Sequence, residues 1–192
     1  MFNFYALQFG ESSLPYEYVT DETTTVESIY VSWFFYLLEL EDQIILIDTG
    51  FSDKRYNRIY NINNYSHPLV LLESINILPK DVSHIILTHS HFDHIGGAHL
   101  FNNAQVCMQE SEYAYFTTTA LYESQKSYFD ELKKNDLLLL VNGDYIFNNH
   151  IMLLKTAGHT PGSQAVFIMV DHKKYLITGD EAYLHEHCTS KK

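Results

Sequence analysis

Cysteine is nearly absent from this chain. Two residues in 192, Cys107 and Cys188, are too few for a disulfide framework. Cys107 falls in the strand-like Ala104 to Met108, where a reduced, buried thiol is expected. Basic residues are also scarce. Twelve Lys and Arg face 24 Asp and Glu, for a formal net charge of −12 with no cationic cluster. That balance excludes phosphate backbones and anionic membrane surfaces as natural partners, so neither nucleic acid nor membrane is expected. Long apolar runs are missing too. The longest, Val31 to Leu38, falls far short of the roughly 20 residues that a bilayer span needs. The first residues, Met1 to Tyr5, show neither a basic n-region nor a small-residue cleavage site, so a cytoplasmic protein is expected.

What the chain does have is core-forming material and histidine. Hydrophobic residues make up 46% of it, with 15 Tyr and 12 Phe, enough for one well-buried domain over residues 1–192. Eleven histidines are present, three of them within Thr88-His89-Ser90-His91-Phe92-Asp93-His94-Ile95-Gly96-Gly97. An apolar run, Ile85 to Leu87, leads into that stretch. Three imidazoles and a carboxylate in so short a span would each need a buried partner if they were core packing. As ligands they are coherent. His89 and His91 are two apart and leave an extended backbone on the same side, while Asp93 and His94 follow a bend. Two half-sites along one loop suit a pair of ions, and imidazole with carboxylate suits zinc, with iron, manganese or cobalt as alternatives. Two such ions would also offset about four of the negative charges. The helical H-E-x-x-H arrangement is absent, because no Glu follows a His here and the glycines break a helix.

Taken in order, Phe2 to Phe9 reads as a strand and Gly10 to Ser28 as a long loop of the kind that forms lids. Ile29 to Leu40 and Gln43 to Ile47 read as a hairpin turning at Glu41-Asp42, apolar enough to be buried on both faces. Asp48-Thr49-Gly50 after it is either a turn-former or a group that orients metal ligands from beneath. Ser66 with Pro68 predicts a helix start, and the spacing of Leu69, Leu72, Ile75 and Leu78 carries that helix to Pro79. His67 and His84 read as ordinary structural residues. Ser111 to Asn135 is expected to be helical, with Leu121, Gln125, Tyr128, Phe129 and Leu132 on one face. Strands are expected at Leu137 to Val141, Tyr145 to Phe147, Ile151 to Lys155, Ala165 to Val170 and Tyr175 to Thr178. Strand ends therefore deliver metal-type ligands at three separate places: His89, His159 in Gly158-His159-Thr160-Pro161-Gly162, and Asp180 after Gly179.

Together these three motifs resemble the metallo-β-lactamase superfamily, in the right order and over nearly the whole chain. The resemblance implies an α/β fold, an αββα sandwich with metals at one edge. It also implies that His89, His91 and His159 hold a first ion, Asp93 and His94 a second, and that Asp180 bridges both. Within the superfamily the chain looks most like the N-acyl homoserine lactonases. Di-iron flavoprotein relatives place a Glu where His91 stands, nuclease branches bind polyanions, and glyoxalase II enzymes carry a further domain. Phe92, the long Phe51 to Pro79 segment and Tyr183 support the lactonase likeness, since a Tyr three residues past the bridging Asp contacts the substrate carbonyl in that branch.

The activity implied is hydrolysis of a small-molecule lactone or related ester by a hydroxide held between two zinc ions. Asp93 and Asp180 would handle the proton, and Tyr183 would assist at the carbonyl. A thioesterase or other ester hydrolase is the enzymatic alternative; a catalytically impaired metal-binding relic is the other. That last alternative arises because the sequence ends 12 residues after Asp180 (192 − 180), whereas family members continue to a last His ligand. Such a C-terminally incomplete sandwich is expected to leave a sheet edge uncovered. His185, His187 or a neighbouring subunit in a homodimer are the candidate replacements.

Overall fold

Alternation along the strands decides how this molecule is layered. In the computed structural model, which describes residues 2–19 and 27–183, ten strands form two sheets. The larger sheet holds β1 (Phe2–Pro15), β2 (Ser28–Leu40), β3 (Gln43–Ile47), β4 (His84–Ile86), β5 (Gln105–Gln109) and β6 (Leu138–Val141), in that spatial order. β1, β2 and β3 pair antiparallel, whereas β3, β4, β5 and β6 run parallel. The smaller sheet is antiparallel, with β7 (Tyr145–Ile146), β8 (Ile151–Lys155), β9 (Gln164–Val170) and β10 (Lys173–Ile177) in the order β10-β9-β8-β7.

Successive side chains of a strand point to opposite faces, so the central strands feed two cores. Leu37, Leu46, Ile85, Val106 and Met108 go to one side and meet Leu72, Phe101, Phe116, Phe129 and Leu132. Leu38, Ile45, Ile47, Ile86 and Cys107 go to the other and meet Ile151, Leu153, Val166, Ile168 and Ile177 of the smaller sheet. Each fully buried aliphatic side chain contributes about 1.5–3 kcal/mol. Continuous apolar character in β3 and β4 is thus the signature of a sheet covered on both sides.

Five helices complete the described residues: α1 (Arg55–Ile59), α2 (Pro68–Ser74), α3 (Phe92–Ile95), α4 (Glu110–Phe116) and α5 (Ala120–Lys134). The larger helices pack on one face of the larger sheet. The outer face of the smaller sheet has no helix over it among the described residues, and Met169 and Leu176 there are exposed. Among the described residues, β10 is an edge strand that pairs only with β9. No described helix is long and apolar enough to cross a membrane.

Several sequence expectations need correction. The segment from Gly10 is not all loop: β1 continues to Pro15 against β2, past a register shift between Gln8 and Gly10, and Ser28 already belongs to β2. Pairing supplied by β2 overrides the polar composition of Glu11 to Ser13. The rest of that loop, residues 20–26, lies outside the described residues, as do His185, His187 and Cys188. Helix α2 is capped by His67, whose Nδ1 accepts from Leu69 N at 3.3 Å, not by Ser66. It also stops at Ser74, well before Pro79. The helix expected over residues 111–135 is two helices, because Thr117, Thr118 and Thr119 turn their hydroxyls back onto the preceding carbonyls. Thr119 then caps α5 by accepting from Tyr122 N.

Cys107 occupies the seam between the two sheets as a free, buried thiol, and burial pushes its pKa up to about 12. A thiol held protonated is inert. Alkylation at pH 8 followed by peptide mapping should therefore leave Cys107 unmodified in the native protein and label it fully after denaturation. Native labelling at a free-thiol rate would contradict the two-sheet packing.

Candidate metal centre

The parallel strands β3, β4 and β5 all point their carboxyl ends to one edge of the sandwich, and the chemically distinctive loops gather there. β3 ends at Asp48, whose φ of +59° makes it a turn residue. β4 exits through Leu87 and Thr88 to His89, Ser90 and His91, and α3 follows with Asp93 and His94 in its single turn. β8 ends in the loop carrying His159, and β10 ends at the 3-10 turn Gly179–Glu181. The glycines let these loops approach. A Cβ at Gly97 would lie 2.5 Å from the Thr49 carbonyl oxygen, so only glycine allows the loop after α3 to close against the end of β3.

The predicted ligands converge. His89 Nε2 lies 3.0 Å from His91 Nδ1, which lies 2.9 Å from His159 Nε2. Asp180 Oδ2 faces this trio, 3.8 Å from His89 Nε2 and 3.6 Å from His159 Nε2. The other carboxylate oxygen of Asp180, Oδ1, is 3.1 Å from His94 Nε2, and Asp93 Oδ2 is 3.2 Å from that same nitrogen. Two donor sets result, His89/His91/His159/Asp180 and Asp93/His94/Asp180, each with its ligand atoms within 4.8 Å of one another. Asp180 belongs to both. Imidazole nitrogens and carboxylate oxygens pointed at a common centre form the donor set that divalent transition ions take, so the residues present fit a pair of such ions.

Electrostatics grade the two halves in opposite directions. Burial pushes the His89 pKa well below its ordinary value, and the neighbouring imidazoles add to that effect. His91 is lowered for the same reasons. At His94 burial also opposes charge, but Asp93, Asp180 and Asp48 outweigh it and hold the imidazole well above its ordinary value. Asp180 is lowered despite its burial, chiefly by His94.

Asp48 resolves the two readings of its turn, since it serves both. Its Oδ1 accepts from Thr88 N and its Oδ2 from Thr88 Oγ1, each at 2.8 Å. Oδ2 also contacts His94 Nδ1 at 2.8 Å, which assigns the proton to Nδ1 and turns Nε2 towards the cluster. Tyr183 reaches the site as expected, donating its hydroxyl to Asp180 Oδ2 at 2.9 Å.

Two carboxylates escaped the sequence reading. Glu181 is one: its Oε1 accepts from Thr156 Oγ1 at 2.8 Å, His159 N at 3.0 Å and Gly158 N at 3.1 Å, and it also accepts from Ser163 Oγ. Burial works against its charge, and these donors, led by the His159 N–H, keep its pKa below the usual value. Glu112 is the other, 1% exposed on α4. A carboxylate on the buried stripe of a helix beside Tyr113 and Phe116 was the available signal.

Because a metal ion must displace the proton that His94 retains, binding at the two halves should respond differently to pH. Below the raised pKa of His94 the Asp93/His94/Asp180 set loses affinity, whereas His89 and His91, lowered, have no proton to shed near neutrality. Zinc titrations from pH 6 to 9 should show one class of site strengthening steeply with pH and the other changing less. Parallel behaviour of both classes would contradict this grading.

Comparison with known proteins gives the same picture. The sequence profile of the metallo-beta-lactamase superfamily matches residues 34–187. An N-acyl homoserine lactonase from Bacillus sp. is 31% identical over 196 residues, covering 95% of this chain and 76% of the relative. The N-acyl homoserine lactonase AiiA of Bacillus thuringiensis subsp. kurstaki is 31% identical over 197 residues with the same coverage. Among solved structures, an N-acyl homoserine lactone hydrolase with the product N-hexanoyl-L-homoserine at its catalytic metal centre superposes with a TM-score of 0.81. It is 27% identical, and the match covers 95% of this chain and 77% of that one. A quorum-quenching N-acyl homoserine lactone lactonase gives a TM-score of 0.80 at 29% identity, over 95% and 75% of the two chains. Profile, sequence relatives and superposed backbones lead to one assignment: this chain belongs to the metallo-β-lactamase superfamily as a metal-dependent hydrolase, and within it resembles the N-acyl homoserine lactonases.

Proposed function

We propose that the protein opens the lactone ring of N-acyl homoserine lactones, with zinc as its metal. The observation that carries this reading is a cavity of about 740 Å³ with His91, Asp93, His94, His159 and Asp180 at its floor and apolar walls above them. Leu14, Val19, Ile29, Trp33, Tyr60 and Phe92 supply those walls. Phe92 is stacked on Tyr56 and Tyr60 at ring-centroid distances of 4.1 and 4.6 Å, which fixes one flat apolar face beside His91 and Asp93. A polar head at the floor and an acyl chain along the wall match the two halves of such a substrate. The similarity to N-acyl homoserine lactonases supports the same substrate class.

Divalent ions held by His89, His91, His159, Asp93, His94 and Asp180 would supply Lewis acidity and lower the pKa of water from 15.7 towards about 7. The chain's own groups do the rest. Asp93 lines the cavity, and its carboxylate would take up the proton released on attack and return it to the leaving alkoxide. The Tyr183 phenol stays protonated, because burial and then the charge on Asp180 push its pKa up. Turned from Asp180 Oδ2 to the bound substrate, that O–H would donate a hydrogen bond to the carbonyl oxygen as negative charge develops there. Trp33, Tyr60 and Phe92 exclude water from the acyl side, which strengthens each polar interaction at the floor.

Purified protein loaded with zinc should hydrolyse N-acyl homoserine lactones, read as proton release, faster than matched acyl thioesters. Asp180→Asn should lower kcat by about a hundredfold or more while circular dichroism stays unchanged. Tyr183→Phe should lower it by about ten- to a hundredfold, having lost one donor. Preferential thioester cleavage would replace the lactone assignment with the ester-hydrolase alternative.

A further inference from the structure

We infer that Glu112, remote in sequence from every candidate ligand, is the positioning residue that clamps the His89/His91 loop to the His159 loop and so sets the spacing of the three imidazoles. The inference rests on the metal-centre reading and not on the identity of the substrate. Glu112 is 1% exposed, and its two oxygens divide their partners between the two loops. Oε1 accepts from Ser90 N at 2.8 Å and Ser90 Oγ at 2.6 Å, and Ser90 is the residue between His89 and His91. Oε2 accepts from Thr160 Oγ1 at 2.7 Å and Gly162 N at 2.9 Å, and Thr160 follows His159 directly. All four acceptor bonds are short, and a carboxylate buried with four donors is strongly held.

A separate observation shows that the backbone is shaped for this contact. A Cβ on Gly162 would lie 2.2 Å from Glu112 N and 2.6 Å from Glu112 Cβ. Only glycine lets the His159 loop lie directly against the first turn of α4, where its N–H meets the carboxylate. Gln164 N to Thr88 O at 3.0 Å and Gln164 Nε2 to Leu87 O at 2.7 Å tie the end of β4 to the start of β9. Those bonds align the segments. Glu112 acts at Ser90, between His89 and His91, and at Thr160, next to His159.

Glutamine cannot replace this glutamate. Each oxygen of Glu112 receives a backbone N–H, from Ser90 on one side and Gly162 on the other. Whichever way a Gln amide is turned, its NH2 group meets an N–H that cannot rotate away. Glu112→Gln should therefore fold, but with one loop released.

The test measures zinc affinity by chelator competition, together with the visible spectrum of the cobalt-substituted protein. For Glu112→Gln the expected result is a zinc-affinity loss of about ten- to a hundredfold with an altered cobalt spectrum. Native affinity and an unchanged spectrum in a folded Glu112→Gln would overturn the clamp and leave the metal centre standing. Wild-type protein that takes up no metal would overturn the metal centre itself. Should near-UV circular dichroism show Glu112→Gln unfolded, the isosteric Thr160→Val decides by the same two readings. It removes one donor, so a severalfold weaker site with a shifted spectrum supports the clamp, and wild-type values refute it.

Discussion

The dominant constraint on this molecule is the crowding of one sheet edge. Four imidazoles and two carboxylates, brought from three strand ends, bring their ligand atoms within a few ångströms around Asp180. Groups that each prefer water have been gathered where His89 is 1% exposed and His94 7%. Left to themselves they would splay outward, because burying an unpaired polar group costs about 1–3 kcal/mol. Holding them takes rigid segments, and the layering supplies these. Parallel strands buried on both faces fix Asp48 and the exit of β4, and the antiparallel strands opposite fix His159 and Asp180.

Beneath the ligands lies a second set of groups whose chemistry is complementary. Asp48 joins the ends of β3 and β4 and orients His94. Glu181 holds the backbone amides of Gly158 and His159 from the Asp180 side. Glu112 receives donors from both ligand loops. Each is a carboxylate that accepts from fixed backbone N–H groups, which are donors that cannot turn elsewhere. Part of the net charge of −12 is thereby structural. The acidity noticed first as a bar to polyanions turns out to be concentrated, in part, around the histidines it organises.

The legible parts of the sequence were those where local pattern and global fold agree. Near-continuous apolar character in β3 and the ligand motif after β4 identified a doubly covered sheet with a polar rim, and all seven candidate site residues from His89 to Tyr183 meet at that rim. The illegible parts were set by tertiary contact. Glu11 to Ser13 look like loop residues and become strand because β2 pairs with them. Thr117 to Thr119 interrupt a helical pattern through side-chain bonds to the backbone that periodicity does not register. Glu112 belongs to no motif, since the three residues it joins lie 22, 48 and 50 positions away.

The two halves of the centre differ in a way that follows from what surrounds them. Within the trio, burial holds His89 and His91 below their ordinary pKa, towards the neutral form that coordinates metal. His94 has three carboxylates about it and keeps its proton until something more positive displaces it. A cation arriving at the trio meets ready lone pairs, whereas one arriving beside His94 must exchange with a proton. Asp180, shared between them, couples the two events: charge drawn to one of its oxygens is withdrawn from the other. The difference between the two halves thus lies in the arrangement of the acids about His94 rather than in the ligands themselves.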